Sequence, residues 1–374
     1  MWYLLKIKKQ HVKSHRILAS YPVASSGHNS LCIMTKKLHV LTGITTTGTP
    51  HLGNYVGAIR PAIEASKRHD VLPFFFLADY HALIKCHDPL RVQQSTLEIA
   101  ASWLALGLDT DNAIFYRQSD VPEIAELAWM LNCVTAKGLM NRAHAYKAAV
   151  QANQDAGDPD PDKGVTMGLY NYPVLMAADI LMFKAHKVPV GRDQVQHIEM
   201  ARDIAGRFNH LYGEHFVIPE AVISEDTATL LGLDGRKMSK SYDNTIPLFM
   251  AEKPFRKIIN KIKTNSQEPG EPKDPEGCTL FSLFKAFATP KETADIRIRY
   301  AEGIGWGEMK GVLFEYLNDH LKESRARYDA LMESPEAIET LLLTGAEKAR
   351  AFSAPLMKEV RHSIGIRPLG SQEP

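Results

Sequence analysis

The segment Lys237–Ser241, with the sequence KMSKS, places two ammonium groups and two hydroxyl groups within five residues of the chain. It follows residues 233–236, whose Asp and Gly are typical of a turn, so the sequence predicts a loop. Lysine side chains on a loop can stabilise the negative charge that builds on leaving phosphate oxygens, without transferring a proton. The alternative is a solvated basic turn, which is the common role of such a charge cluster.

A second candidate lies where residues 38–41 predict a first strand and residues from Tyr55 onward predict a helix. The loop between them, residues 42–50, consists mainly of small residues. Gly43 and Gly48 allow backbone conformations that other residues rarely adopt, and the new helix aims N–H groups at phosphate. The glycine spacing matches neither a P-loop nor the dinucleotide-binding fingerprint, which disfavours those nucleotide folds.

His51 and Asn54 lie at the predicted helix start and add side-chain donors to its N–H groups. Gly53, between them, lets an adenine approach the backbone. A single histidine near a helix start is more often a cap or a surface residue than a catalytic group. Taken together with the lysine segment, in this chain order, the two motifs indicate activation of ATP.

The two motifs resemble the HIGH and KMSKS signatures of class I aminoacyl-tRNA synthetases, and within that class the chain resembles the bacterial tryptophanyl-tRNA synthetases. The resemblance extends from about Leu38 to the C-terminal region. Its other blocks are residues 53–58 (GNYVGA), 172–181 (YPVLMAADIL), 188–194 (VPVGRDQ) and 202–209 (RDIAGRFN). It implies a ligase that activates L-tryptophan with Mg-ATP, giving tryptophanyl-adenylate and pyrophosphate, and then transfers tryptophan to the 3′-terminal adenosine of tRNA(Trp).

Tyr172, Met176 and Asp179 have the spacing of one helical face. Because an aspartate is rarely buried unless it is paired, one interpretation is a core-edge residue held by a cap or an ion pair. The functional interpretation is a partner for indole, which has one N–H donor and no acceptor. Tyrosyl relatives typically carry Gln where this chain has Met176, so the resemblance favours tryptophan. Such a site excludes phenylalanine without an editing domain.

The resemblance also implies a role for each matching residue. The groups expected to stabilise phosphate charge are His51, Asn54, Lys237, Ser239 and Lys240. The residues expected to contact ATP are Thr45, Thr46, Thr47, Gly53, Asn54, Gly191, Arg192, Asp193, Lys237, Met238, Ser239, Lys240 and Ser241. The residues expected to bind tryptophan are Gly43, Tyr172, Met176, Asp179, Val188, Val190 and Gln194. Without the family, the two valines would be interpreted as core packing of a strand.

Two segments depart from the family pattern. Residues 45–47 are three threonines where relatives usually have Gln-Pro-Ser, which keeps hydroxyl groups but removes an amide directed toward substrate. Residues 138–140 read Gly-Leu-Met in place of Gly-Glu-Leu, so an acid is missing from that helix.

A chain of 374 residues suggests about two domains. Strand candidates at residues 71–78 and 113–116 alternate with helical patterns at residues 90–106 and 124–139, which predicts a doubly wound parallel α/β sheet. We therefore expect a Rossmann-like, HUP-type catalytic domain over residues 35–245. The resemblance assigns residues 246–374 to a helical region that reads the anticodon and partly returns to the catalytic domain; the alternative for its basic residues is a solvated helix face.

Residues 1–34 contain five Lys or Arg and no acid, so the chain's net charge of +1 leaves −4 on residues 35–374. Any tRNA-binding surface must therefore be local. The basic extension is predicted to be disordered or not native: it fits an organellar transit peptide or a start codon assigned too far upstream, and the bacterial resemblance favours the second. Since no stretch of about 18 apolar residues occurs, secretion and membrane insertion are disfavoured. Reduced cysteine thiols fit a cytoplasmic protein, which is therefore expected.

The four cysteines are far apart and form no C-x-x-C pair. No disulfide framework, zinc site or iron–sulfur cluster is therefore expected, and the metal expected is Mg²⁺ bound through ATP. The resemblance implies a homodimer. Three alternatives stay open: a tyrosyl-tRNA synthetase, opposed by Met176 and residues 188–190; a HIGH-type nucleotidyltransferase of coenzyme biosynthesis, usually a much shorter chain; and a non-catalytic paralogue that binds tRNA or senses tryptophan.

Overall fold

A computed structural model describes residues 37–223 and 230–370. Within these ranges one parallel sheet has the strand order β3-β2-β1-β4-β5. The strands are β1 (Leu38–Thr45), β2 (Val71–Ala78), β3 (Ile114–Arg117), β4 (Lys187–Val190) and β5 (Glu220–Ile223). The strand order reverses between β1 and β4, which is the pattern of a doubly wound fold. The predicted Rossmann-like α/β class is confirmed.

The helices of the described ranges separate these strands and then continue to the C-terminal end. They are α1 (Leu52–Asn54), α2 (Arg60–Ser66), α3 (Asp79–Ala82), α4 (Pro89–Ala105), α5 (Glu123–Val134), α6 (Lys137–Met140), α7 (His144–Asp155), α8 (Met167–Met182), α9 (Val195–Tyr212), α10 (Glu252–Asn260), α11 (Thr279–Lys285), α12 (Pro290–Ala301), α13 (Trp306–Met332) and α14 (Pro335–Ser363). A π-helical turn, Tyr55–Ile59, connects α1 to α2.

Strand β2 divides the core into two layers because its side chains alternate between the faces of the sheet. Phe75 and Leu77 belong to one hydrophobic cluster, with residues of α4, α10, α11 and α13. Phe74 and Phe76 belong to the other, with residues of α5, α8, α9 and α14. A strand covered on both faces has a continuous apolar sequence, which explains why its predicted bounds, 71–78, match those of the structure.

Three local predictions differ from the structure. The strand predicted at residues 38–41 continues to Thr45, because Thr42–Thr45 pair with Phe75–Ala78 of β2. The first helical turn begins at Leu52 instead of Tyr55. The helix predicted over residues 124–139 ends at Val134, since Thr135 has an extended backbone, and restarts as α6. In the first case strand pairing overrides a local preference for turns.

The C-terminal helices pack back onto the sheet region: α13 contacts α4, and α14 contacts β3 and α5. Glu123 of α5 forms an ion pair with Arg350 of α14 at 2.8 Å, and Glu126 pairs with Arg361. The division at residue 245 and the anticodon-reading role stay predictions, and residues 1–34 lie outside the described ranges. Among the described residues, no helix combines the length and apolar character needed to cross a bilayer.

Candidate active site

A cavity of about 630 Å³ opens at the carboxyl ends of β1 and β4. This is the point where the strand order reverses, and parallel α/β sheets bind ligands there because the connections diverge to opposite faces. The seven residues predicted to bind tryptophan all line this cavity: Gly43, Tyr172, Met176, Asp179, Val188, Val190 and Gln194. Helix α8 contributes three of them from one face, as the spacing predicted.

The structure requires glycine at position 43 for a reason other than the expected one. It lies within β1 and does not adopt a left-handed backbone conformation. A Cβ atom at this position would lie 2.4 Å from Cζ of Phe76 on the neighbouring strand. Phe76 lines the same cavity, so glycine is needed for close packing of β1 against Phe76 in the cavity wall rather than for an unusual turn.

Asp179 is completely buried, and its carboxylate accepts hydrogen bonds from two side chains. Nε2–H of Gln118 donates to Oδ1 at 2.7 Å, and Nε2–H of His81 donates to Oδ2 at 2.9 Å. Burial raises the pKa of this carboxyl group above its ordinary value, and the contacts with His81 oppose that effect. Each carboxylate oxygen accepts more than one hydrogen bond, so a third donor inside the cavity, such as an indole N–H, can still be accommodated.

Tyr172 ends a chain of hydrogen bonds that begins at Asp193. Nε2–H of Gln194 donates to Asp193 at 3.1 Å, which turns the Gln194 carbonyl oxygen toward His197. Because that oxygen only accepts, Nδ1 of His197 carries the proton and donates at 2.8 Å. Burial lowers the pKa of His197, so the ring is neutral and its Nε2 accepts from the Tyr172 hydroxyl at 2.6 Å. The Tyr172 oxygen is left as an acceptor on its cavity side.

His51 is buried and forms the N-cap of α1 together with Asn54. The Asn54 backbone N–H donates to Nδ1 of His51 at 3.3 Å, and the His51 backbone N–H donates to the Asn54 side chain at 3.1 Å. Burial, and to a smaller degree the charge of Lys240, lower the pKa of His51 to about 4. At neutral pH the ring therefore carries its proton on Nε2, as a neutral donor.

Backbone hydrogen bonds join the two sequence motifs. The Leu52 N–H donates to the Ile246 carbonyl, and the Leu248 N–H donates to the Pro50 carbonyl, each at 2.9 Å. The residues just after the lysine segment thus pair with the residues around His51, although almost two hundred positions separate them. Tertiary pairing brings the two candidate phosphate-binding segments to one place.

Asn244 organises the lysine segment from a buried position. Its side-chain oxygen accepts from the Ser239 backbone N–H at 2.8 Å. Its amide donates to Asp234 at 2.7 Å and to the Lys237 carbonyl at 3.1 Å. Three backbone or side-chain groups of the loop are therefore held by one amide, which limits the conformations that the lysines can adopt.

The remaining residues that were predicted to contact ATP differ in burial and in whether they line the cavity. Thr45, Thr47 and Gly191 line the cavity, and Met238 is buried beside Gly53. Lys240 donates from Nζ to the Thr47 carbonyl at 2.9 Å. Thr46 is buried, and its hydroxyl has no hydrogen-bond partner in the described part of the chain. The predicted ATP contacts that are exposed and do not line the cavity include Arg192, Asp193, Lys237 and Lys240.

Residues 34–322 match the family model described as tRNA synthetases class I (W and Y). The chain belongs to this family of class I tRNA synthetases. The tryptophan–tRNA ligase of Pseudomonas aeruginosa is 64% identical over 333 residues, which are 88% of this chain and 74% of that protein. The tryptophan–tRNA ligase of Neisseria meningitidis is 60% identical over 336 residues, which are 90% of this chain and all of that protein.

A solved structure in the same family supports the fold at high coverage. The tryptophanyl-tRNA synthetase of Campylobacter jejuni, in complex with ADP and tryptophan, is 42% identical and superimposes with a TM-score of 0.80. The match covers 88% of this chain and all of that chain. The resemblance inferred from the motifs is therefore confirmed at the level of the family and of the fold.

Sequence reasoning for this synthetase missed several residues beside the predicted ones: His81, Gln118, His197 and Asn244. His81 and Gln118 follow the ends of β2 and β3 almost directly, and side chains at carboxyl ends of parallel strands are candidates for such sites. That rule offered a signal for these two. Asn244 offered none, because a polar residue after a loop motif has no distinguishing pattern.

The lowered pKa of His51 predicts a pH-dependent stability. Between pH 6.5 and 4 the unfolded chain binds a proton that folded His51 excludes, so the free energy of unfolding falls as the pH falls through this window. The reference is His51→Asn, which removes the imidazole and keeps a favourable N-cap. Between pH 7 and pH 5 the free energy of unfolding should fall by at most about 2 kcal/mol more in the wild type than in this variant. Urea unfolding of both proteins at the two pH values measures this; equal losses would contradict the prediction.

Proposed function

We propose that the chain is a tryptophan–tRNA ligase. The observation that carries this proposal is the buried Asp179 carboxylate beside Met176 in the cavity at the strand ends. A carboxylate with a free lone pair matches an indole N–H, and Met176 gives a soft apolar wall to the ring. A phenol hydroxyl also needs a donor, whereas the Asp179 carboxylate can only accept.

The amino acid is then oriented by its ammonium group as well as its ring. The Tyr172 hydroxyl donates its hydrogen bond to His197, and its oxygen accepts a hydrogen bond from the ammonium of tryptophan. Gln194 lies next to it on the cavity wall. Together these contacts direct the tryptophan carboxylate toward the segment around His51 and Lys240, where the ATP phosphates bind.

In the first reaction step a tryptophan carboxylate oxygen attacks the α-phosphorus of ATP, which reaches the site as its Mg²⁺ complex. The bond to the bridging oxygen breaks, and pyrophosphate leaves with that oxygen. Neutral His51 donates from Nε2, and Lys240 and Lys237 balance the charge on the leaving group. In the second step a ribose hydroxyl of the terminal adenosine of tRNA(Trp) attacks the activated carbonyl and releases AMP.

The experiment that tests this function is amino-acid-dependent ATP–pyrophosphate exchange on protein starting at Met34. Tryptophan, tyrosine and phenylalanine are compared at equal concentrations. Exchange with tryptophan alone, followed by charging of tRNA(Trp), is the expected result. Exchange with tyrosine would overturn the specificity argued from Met176 and Asp179, and no exchange with any amino acid would favour a non-catalytic paralogue.

We further propose that the enzyme acts in the cytoplasm as a homodimer. The family resemblance supports the dimer, and the surface offers large apolar side chains for it: Leu83, Trp129 and Met167 are all exposed. Leu83 lines a second, smaller groove, together with Ala128 and Gly168. Sedimentation equilibrium on the purified protein measures the assembly directly, and a monomer at micromolar concentration would contradict it.

His197 is expected to control tryptophan affinity through Tyr172. In His197→Asn the shorter amide can replace Nδ1 but cannot reach Tyr172. The Tyr172 hydroxyl then loses the acceptor that orients its proton away from the cavity. We expect KM for tryptophan to rise about 3- to 10-fold, with KM for ATP unchanged.

His197→Gln is the matched control, since its amide reaches the position of Nε2 and should recover most of the affinity for tryptophan. Both values come from exchange kinetics with one substrate varied at a time. A parallel rise in the KM values of tryptophan and ATP would indicate a general structural defect and count against this role.

A further inference from the structure

Helix α4 presents a polar face to the loop after β1. Arg91, Ser95 and Glu98 are spaced at i, i+4 and i+7, so they lie along one side of the helix. The buried Ser95 hydroxyl accepts from the Gly48 backbone N–H at 2.7 Å. This hydrogen bond fixes the loop against the first turns of α4 and places Arg91 next to the segment that Lys240 also contacts.

Two cationic groups converge on the open side of Gly48. Gly48 has φ +99°, and a Cβ atom at this position would lie 2.9 Å from Nη2 of Arg91 and 3.1 Å from Nζ of Lys240. Nη2 of Arg91 also lies 3.5 Å from the Thr49 hydroxyl. A glycine with a left-handed backbone is required here, and its missing side chain leaves space between the two charges.

The positive charges of Arg91 and Lys240 favour binding of an anion between them. Neither Arg91 nor Lys240 forms an ion pair with a carboxylate within residues 37–223 and 230–370. Glu98 lies near Lys240, but one of its carboxylate oxygens is buried without a hydrogen-bond partner. Burial, and second the charge of Arg91, lower the pKa of Lys240, and the charge of Glu98 opposes them to a smaller degree. Two cations held at short range repel one another, and a bound anion relieves that repulsion.

We propose that Arg91 is an additional phosphate-binding group of this enzyme, which contacts the terminal phosphates of ATP and the leaving pyrophosphate from the α4 side. The guanidinium group presents two parallel N–H donors to phosphate oxygens, whereas Lys237 and Lys240 act as point charges. The phosphates thus lie between α4 and the lysine segment, above Gly48. This inference rests on the proposed function, because it assigns the phosphate position of the same reaction.

Arg91→Gln tests the assignment in the exchange assay. We expect KM for pyrophosphate and for ATP to rise about 10- to 100-fold, because a charge-assisted contact with phosphate is lost. KM for tryptophan should stay unchanged. Arg91→Lys should recover part of the loss, since it keeps the charge without the planar fork.

Arg68→Gln is the matched control. Arg68 is an exposed arginine paired with Asp70, just before β2 and therefore at the opposite end of the sheet. Its exposed ion pair contributes little to stability, so all KM values should equal those of the wild type.

The outcomes separate this inference from the proposed function. If wild-type protein shows no exchange with tryptophan, the function itself fails. If the wild type is active and Arg91→Gln keeps the wild-type KM for pyrophosphate, only the role of Arg91 is overturned. Calorimetric titration with inorganic pyrophosphate provides a second readout: weaker binding to Arg91→Gln supports the assignment, and equal binding overturns it even where exchange is too slow to measure.

Discussion

Lys240→Ala should slow formation of tryptophanyl-adenylate by about 10²- to 10³-fold while tryptophan affinity stays nearly unchanged. The Lys240 ammonium lies 2.9 Å from the Thr47 carbonyl, at the loop between β1 and α1. In the proposed mechanism its charge acts on the phosphate oxygens as pyrophosphate leaves, and we expect it to stabilise the transition state more than the bound substrates. A group that acts this way changes kcat and kcat/KM together.

The measurement pairs pre-steady-state adenylate formation with calorimetric binding of tryptophan. Lys67→Ala is the control, because Lys67 is exposed at the end of α2, near the amino ends of the strands. It removes the same charge without touching the site. A large loss of tryptophan affinity in Lys240→Ala would contradict the assignment, since it would place the lysine beside the amino acid instead of the phosphates.

Asp179→Ala should reduce kcat/KM for tryptophan by about 10²-fold or more, through loss of a hydrogen bond between a charged acceptor and the indole N–H. The same change leaves the donors of Gln118 and His81 without their acceptor inside the protein. Each unsatisfied donor costs about 1–3 kcal/mol, so the variant should also unfold at lower urea concentration. Activity must therefore be measured well below its unfolding transition.

A substrate analogue separates recognition from stability. In β-(benzothien-3-yl)alanine a sulfur atom replaces the indole N–H, and the ring shape is nearly the same. The wild type should activate this analogue at least about 10²-fold less efficiently than tryptophan, because Asp179 then faces no donor. In Asp179→Ala the two substrates should be activated almost equally. Strong preference for tryptophan in that variant would show that another group recognises the N–H.

The sequence by itself determined the features that depend on neighbouring residues. The continuous apolar run of β2 predicted a strand with the observed bounds, because a strand buried on both faces needs apolar side chains throughout. The spacing of Tyr172, Met176 and Asp179 predicted one face of α8, because helical geometry repeats every few residues. The two motifs predicted the family, since their residues lie within short segments of the chain.

Tertiary structure decided which distant groups meet. Asp179 receives its donors from residues that follow β2 and β3, and Arg91 and Lys240 both approach Gly48, whose N–H is bound by Ser95 of α4. The extension of β1 to Thr45 likewise depends on pairing with β2. Such contacts depend on the sheet order and on the packing of α4 and α8, which no local pattern encodes. Side-chain periodicity specifies an element and its buried face, whereas the partner across a cavity is fixed only when the elements pack.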